Sequence, residues 1–251
     1  MNLMNFPVLV LVFSFLVLLS AAEAGHLFRK RTKPLNQEDR EDFNVVLGAI
    51  LTLLGLLIGF SFSMAISRYD QRKNDEAAEA SAIGTEYVRA DLLPAGDGDK
   101  VRELLKKYID QRVLFYTTHD EIELAKINTQ TLKLQNDLWS AVRPSGAQPS
   151  LPAILAIAGM NDVLNSEGFT QASWWNRIPI LAWVLMSAIA FVCNLLIGYE
   201  ARRRDWRIFL LVPIAVSIAF FLISDIDSPY GGGISVAPLN LVRLSQSLRT
   251  Q

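Results

Sequence analysis

The chain has 251 residues, of which 51% are hydrophobic and 20% charged, and its formal net charge is −1. This near balance of charge gives no reason to expect a nucleic-acid partner. One cysteine and two histidines exclude an intrachain disulfide and argue against a thiolate or histidine metal centre within one subunit. We therefore predict neither a metal nor another cofactor.

The apolar residues are concentrated in four runs, at 6–22, 43–66, 178–198 and 208–224. Each run is long enough to cross the hydrocarbon core of a bilayer as a helix. The stretch between the second and third runs has the composition of a water-soluble segment. We therefore predict an all-α, multipass protein of the lipid bilayer, with four transmembrane helices and a soluble helical bundle inserted at 67–177.

The first run leaves two alternatives open. Ala22-Glu23-Ala24 before Gly25 resembles a signal-peptidase site, but residues 1–5 carry no Lys or Arg. Basic residues follow the run instead, which is typical of an uncleaved anchor, so we interpret 1–42 as a signal-anchor helix with a basic cytoplasmic loop. Cleavage after Ala24 would leave three spans.

The basic residues of the loops predict the orientation. In a four-span protein the segments at 28–42 and 199–207 share one side and hold nine Lys and Arg, whereas the two termini hold two. Positively charged loops are retained in the cytoplasm, so we place the 67–177 bundle outside it. In a Gram-negative bacterium this would be an inner-membrane protein with a periplasmic bundle.

The second run continues out of the membrane without a helix-breaking residue. Residues 43–67 carry no charge, and 68–90 keep good helix formers in register, so we predict one helix over 43–90. Small residues recur on one face of its membrane part: Gly48, Thr52, Gly55, Gly59, Ser63 and Ser67. This face is either a close-packing seam or the lining of a water-filled path, in which Phe60, Phe62 or Leu56 would be constrictions.

The soluble stretch predicts three further helices, at about 97–116, 120–142 and 152–166, because apolar residues recur there at helical spacing. With the end of the long helix they can form a small antiparallel bundle. Two acidic runs, at 75–79 and 120–123, are interpreted as solvated helix faces or first-turn acids, since the oxygen-rich loop spacing of a cation site is missing.

Polar and aromatic residues mark the ends of the last two spans, within segment 178–224. Trp174 and Trp175 precede the third run and are typical of an interfacial anchor. Asn194, inside that run, is expected to face protein or a cavity, and we favour helix packing over permeation. In the exit turn and tail, 225–251, Asp225 and Asp227 are interpreted as caps or salt links in preference to ion-entry groups.

Two stretches resemble the bestrophin-like membrane proteins, specifically a bacterial domain grouped with the bestrophins. In the first, Tyr69 and the run Glu79-Ala80-Ser81-Ala82-Ile83 are similar to a post-membrane tyrosine followed by an E-A-x-A-aliphatic motif. The second is similar to D-x-P-x-x-G-x-aliphatic-x-V-x-P, and these residues meet it: Asp227, Pro229, Gly232, Ile234, Val236 and Pro238.

Bestrophins are pentameric anion channels, so the resemblance implies a homo-oligomeric pore for an inorganic anion such as chloride. The rival hypothesis is a non-conducting membrane sensor or scaffold, whose bundle binds a ligand or partner and relays strain along the long helix. The sequence contains no serine elbow, no HExxH and no phosphate-binding glycine loop, so we predict no enzyme.

Overall fold

A computed structural model describes residues 6–31, 36–143, 151–200 and 206–250. Every regular element within these ranges is helical, which confirms the predicted all-α class. The elements in chain order are α1 (Pro7–Arg31), α2 (Gln37–Arg89), a 3₁₀ turn (Ala90–Leu92), α3 (Ala95–Thr117), α4 (Glu121–Val142), α5 (Leu151–Trp175), α6 (Ile180–Glu200), α7 (Trp206–Asp227) and α8 (Leu239–Thr250).

Four helical stretches in the described ranges are long and apolar enough to cross a membrane. They are Pro7–Arg31, Gln37–Leu92, Leu151–Glu200 and Phe209–Asp227. Each contains one of the four predicted apolar runs, except that the first residues of the first and last runs, Phe6 and Ile208, fall just outside, so the prediction of four spans is confirmed in length and composition. The basic residues Lys33 and Arg202 to Arg204, on which the orientation partly depends, lie outside the described residues.

The long second helix is continuous, as predicted. α2 has 53 residues and passes from the uncharged run into the charged one without a break. It ends in the 3₁₀ turn at Ala90–Leu92, after which Leu93 is extended. Pro94 follows, and the residue before a proline is disfavoured in the helical region.

The chain folds as two compact units. Unit 1 comprises Met1–Arg68 with Arg177–Ser235, and unit 2 comprises Tyr69–Asn176 with Val236–Gln251. The boundary falls inside α2, so this single helix contributes its apolar part to unit 1 and its charged part to unit 2.

In unit 1, α1 packs along α6 and α7. Glycine permits the closest approach: a Cβ at Gly25 would lie 1.9 Å from the carbonyl oxygen of Leu195. A Cβ at Gly198 would lie 1.9 Å from the carbonyl oxygen of Ala22. Because these neighbours are backbone atoms, neither position can accept a side chain without separating the helices.

Helix α1 runs without interruption past Ala24, the alternative cleavage site, and ends in the basic residues Arg29, Lys30 and Arg31. The Arg29 guanidinium donates to the carbonyl oxygens of Tyr199 (3.0 Å) and Glu200, the last residues of α6. Cationic donors satisfy the free carbonyls at a helix C-terminus. These contacts favour a retained anchor, and retention stays a prediction.

Unit 2 consists of the second part of α2 with α3, α4, α5 and α8; α3 packs on α4 and α8, and α4 packs on α5. Its fully buried apolar residues include Leu105, Tyr108 and Ile109 of α3, Leu138 of α4 and Met160 of α5. Two features differ from the predicted helices. α5 continues to Trp175, well beyond residue 166, and the C-terminal segment forms α8.

The extension of α5 changes the role of the tryptophan pair. Trp174 is 2% exposed and packs against Phe115 and Tyr116, with ring centroids 4.9 and 5.4 Å away. Trp175 is 77% exposed. The prediction of a paired interfacial anchor is therefore wrong for Trp174, because consecutive residues of a helix point about 100° apart and only one of the two faces the core of unit 2.

Candidate functional site

The small-residue face of α2 is open in this chain. A Cβ placed at Gly48, Gly55 or Gly59 would meet no atom of the described residues within 4 Å. Thr52 and Ser63 on the same face are exposed, and the Thr52 hydroxyl donates to the Gly48 carbonyl oxygen at 2.8 Å. In this span only 11% of the apolar 18-residue segment is buried within the chain, compared with 28%, 28% and 50% of the corresponding segments in the other three spans.

The packed side of the same helix part carries Leu54, Ser61 and Ala65, which are 2%, 5% and 0% exposed. At about 100° per residue these three positions lie roughly opposite the small-residue face. α2 therefore uses one side for packing within the chain. Its other side presents hydroxyls and bare backbone.

The two phenylalanines predicted as constrictions do not lie on one line. Phe60 is 61% exposed, whereas Phe62 is half-buried. Residues two positions apart on a helix point about 200° apart, so both side chains cannot face the same pore axis. Phe62 lies at the Gly55 edge of the small-residue face and Phe60 at its Ser67 edge, and Phe60 is the more exposed of the pair.

Asn194 does not share the open face of α2. Its side chain on α6 is 0% exposed, and its Nδ2 donates to the Ala190 carbonyl oxygen of the same helix at 2.8 Å. It faces protein, as expected, but the bond that the structure gives it is within α6. A permeation role is therefore not supported for this residue in the single chain.

The exit turn after α7 is organised by Asp225. Its carboxylate accepts from the backbone N–H of Gly233 at 2.7 Å and of Ile234 at 3.0 Å. Gly232 is needed where it stands, since a Cβ there would lie 2.4 Å from the Asp225 carbonyl oxygen. Pro229 falls within this turn. Asp225 and the motif residue Gly232 thus act on the same backbone loop.

Asp227 anchors the start of the third span. Its carboxylate accepts from the Ile178 N–H at 3.1 Å and lies 3.5 Å from the Arg68 guanidinium. It is 5% exposed, as is Asp225. These bonds match the structural interpretation of both acids. The last two motif residues lie in unit 2, where Val236 is buried and the Pro238 carbonyl accepts from Val242 at 2.9 Å.

The post-membrane motif leads to a buried polar cluster in unit 2, which we name the Glu79 centre: Glu79, Arg112, Tyr116, Glu167 and Thr170. Glu79 and Arg112 are both 0% exposed, and the Arg112 Nε donates to a Glu79 oxygen. Thr170 donates to Glu79 at 3.1 Å and Tyr116 at 3.4 Å, while Glu167 lies 3.6 Å from the guanidinium. The centre joins α2, α3 and α5.

The charge state of this centre follows from its burial. Burial alone would lower the pKa of Arg112, but the nearby Glu79, Tyr108 and Glu167 raise it above its usual value, so the guanidinium stays charged. Burial raises the pKa of Tyr116, and the negative charge of Glu79 raises it further. The phenol therefore remains a neutral donor.

The acidic run at 75–79 is therefore not a solvated face, and that interpretation is wrong. Ala80 follows it and is 7% exposed, whereas Tyr69, at the start of the motif, is half-buried. Glu76 is 1% exposed and accepts from the backbone N–H of Asn240 at 2.8 Å and Leu241 at 2.9 Å, at the start of α8. An acid at that position satisfies free donors and suits the helix dipole.

The second acidic run is what the sequence predicted. Asp120 is the N-cap of α4 and accepts from the N–H groups of Ile122 (2.8 Å) and Glu123 (2.9 Å). In sequence the two runs look alike. Only the partners supplied by α3, α5 and α8 distinguish a buried acid from a first-turn one.

These elements define a multipass α-helical membrane protein with an inserted helical unit. The sequence profile of the Bestrophin-like domain matches residues 14–241, and the chain belongs to this family. No curated protein sequence matches the chain significantly.

Solved structures of bacterial bestrophin homologues from Klebsiella pneumoniae are similar in fold. A point-mutant form has 12% sequence identity and a TM-score of 0.67, covering 96% of this chain and 98% of that one. A second structure of the homologue has 13% identity and a TM-score of 0.64, covering 97% of each chain. At this identity the likeness concerns the fold alone.

Proposed function

We propose that this protein assembles as a homo-oligomeric channel for small inorganic anions such as chloride. The observation that carries the proposal is the open face of α2 at Gly48, Gly55 and Gly59. Lipid tails form no hydrogen bonds with exposed backbone and hydroxyl groups. A neighbouring helix can pack closely against this face, and water can hydrogen-bond to it. Membership in the bestrophin-like family adds the expectation of a pore.

In this proposal the α2 helices of several copies stand around one axis. Exposed hydroxyls and backbone dipoles would line the path, and Phe60 would narrow it. The described part of α2 from 43 to 67 carries no charged side chain, so selectivity would come from dipoles and pore diameter. Transport, and no catalysis, is the activity that we assign.

The first test is conduction by the purified chain. We expect liposomes that contain it to release chloride faster than empty vesicles, and mass measurement of the detergent-solubilised protein to give a single complex of several copies. Phe60→Ala should change the flux. Phe13→Ala is the matched control, since Phe13 is 60% exposed on α1 and Phe60 is 61% exposed on α2.

A folded oligomer without flux above empty vesicles would contradict the channel. A monomer or dimer whose soluble unit binds a specific partner would favour the non-conducting sensor or scaffold instead. Equal effects of the two phenylalanine substitutions would contradict the placement of Phe60 at the path.

We further propose that the protein lies in the inner membrane with unit 2 on the extracytoplasmic side, on the positive-inside argument. The test uses single cysteines in a Cys193→Ala background. Glu121→Cys should react with a membrane-impermeant maleimide in intact cells, and Glu41→Cys only after permeabilisation. The reverse pattern would overturn the orientation and leave the channel proposal standing.

A further inference from the structure

Glu86 is a buried acid that no other group satisfies in the described part of the chain. It lies on α2 in unit 2, beyond the membrane-spanning part, and is 0% exposed. Neither carboxylate oxygen has a hydrogen-bond partner among the residues that the structure describes. The other two fully buried acids of this helix part, Glu76 and Glu79, are each paired, as described above. Glu86 therefore differs from Glu76 and Glu79 in that its buried carboxyl group has no hydrogen-bond donor among the described residues.

The side chain is held against α5 at Gly159. A Cβ at Gly159 would lie 2.1 Å from the Glu86 Oε2 and 2.3 Å from the Arg89 Nη1. The carboxyl group thus fits only because α5 has bare backbone there. A buried carboxylate without donors is costly, and the neutral acid is much less so.

Two charged groups act on Glu86. Arg89 lies one turn further along α2, and Asp162 lies on α5. The Arg89 Nη1 is 3.9 Å from the Asp162 carboxylate, so Arg89 interacts with Asp162 as well as with Glu86. On the adjoining 3₁₀ turn, Asp91 is paired with Arg102 of α3.

We propose that Glu86 is a proton-binding site that holds α2 and α5 together while protonated, and that loss of this proton loosens their contact. The surroundings support the protonated form at neutral pH. Burial raises the pKa of Glu86 to about 8, with Arg89 lowering it and Asp162 raising it.

The sign of the effect on stability follows from linkage. The folded-state pKa lies above the ordinary value of 4.5, so the folded protein binds a proton that the unfolded chain releases between the two values. The stabilisation is complete below about pH 4.5 and is lost as the pH rises through about 8. Glu86 thus makes unit 2 less stable in alkaline solution.

A consequence for transport rests on the proposed function. Glu86 and the open face at Gly55 belong to the same continuous helix, α2. A change of charge at Glu86 therefore acts on the helix that we place at the anion path. Chloride flux through the wild type should change with pH around a midpoint near 8.

The test compares the full-length wild type with Glu86→Gln, which keeps the shape of the neutral acid. Infrared difference spectra should be recorded from below pH 4.5 to well above pH 8. In the wild type they should contain a protonated-carboxyl band that disappears with a midpoint near pH 8, and this band should be absent from the variant. The melting temperature of the wild type should fall by several degrees as the pH rises from about 4.5 to about 8, and that of the variant should not. Glu103→Gln, an exposed acid on α3, is the matched control and should behave as wild type.

Two neighbouring substitutions keep the proposal falsifiable if Glu86→Gln does not fold. Asp162→Asn should move the midpoint down, and Arg89→Gln should move it up. The same infrared band in Glu86→Gln, or shifts of the same sign in both neighbours, would overturn the proposal. Absence of chloride flux at every pH would contradict the channel alone, because the infrared and melting measurements do not depend on conduction.

Discussion

Arg112→Met tests how much the Glu79 centre contributes to the stability of unit 2. Methionine keeps an unbranched stem of similar length but removes the guanidinium, which is 0% exposed and bonds to Glu79. The variant leaves the Glu79 carboxylate buried with, among the described residues, the hydroxyls of Thr170 and Tyr116 as its remaining donors, at 3.1 and 3.4 Å. A buried charge then lacks its counter-ion.

The expected loss is large. Breaking a buried ion pair from one side costs about 3–5 kcal/mol, since the remaining charge keeps its desolvation penalty. The two hydroxyls offset part of this penalty, so we expect about 3 kcal/mol, or a melting temperature lower by roughly 6–12 °C for a chain of this size. The Phe115 ring, 4.5 Å from the guanidinium carbon, also loses a cation–π contact.

The assay is thermal unfolding of the detergent-solubilised protein, followed by circular dichroism and tryptophan fluorescence. Trp174 packs on Phe115 and so reports on this part of the core. Arg249→Met is the matched control, because Arg249 pairs with Asp110 at 2.9 Å on the surface, where such pairs contribute about 0–1 kcal/mol.

A double variant, Glu79→Gln with Arg112→Met, separates the ion pair from its packing. Removing both charges takes away the uncompensated carboxylate, so the double variant should be more stable than Arg112→Met alone. The reasoning would be refuted if Arg112→Met cost no more than Arg249→Met, or if the second substitution added a further full loss.

Three shorter predictions concern other contacts. Gly198→Ala should sharply lower the yield of folded protein, because its Cβ would meet the Ala22 backbone at 1.9 Å, whereas Gly48→Ala, with open space around it, should not; size-exclusion chromatography compares the two. Glu76→Ala removes the acceptor of two backbone N–H groups and should release the start of α8 at a cost of about 1–2 kcal/mol, seen as faster proteolysis at the C-terminus, and an unchanged cleavage rate would contradict the cap. Asp225→Ala should leave two N–H groups of the exit turn without an acceptor and lower the melting temperature, while an unchanged value would show that the turn holds without it.

The sequence was sufficient to predict the structure wherever the feature depends only on residues that are close together in the chain. Uncharged runs within the length range of membrane-spanning helices predicted the four candidate spans, and an unbroken series of helix formers predicted the continuity of α2. Asp120 was recognisable as a first-turn acid because the cap and the N–H groups that it accepts from are neighbours in sequence.

The sequence was insufficient to predict the burial of a side chain whose contacts come from another helix. Glu76, Glu79 and Glu86 belong to one charged helix part, and nothing local distinguishes them from solvated residues. Their partners, or the lack of them, come from α8, α3 and α5, which lie far along the chain. The same holds for Trp174, whose burial depends on α3 rings that its own helix does not reveal.

What the residues determined by themselves was therefore the set of helices and their affinity for lipid, since helix formation and membrane insertion depend on consecutive side chains. What only the tertiary structure decided was which polar groups are buried and how each is satisfied. Burial is a property of surfaces brought together by packing, so the open face of α2, the Glu79 centre and the unpaired Glu86 appear only once the helices are assembled.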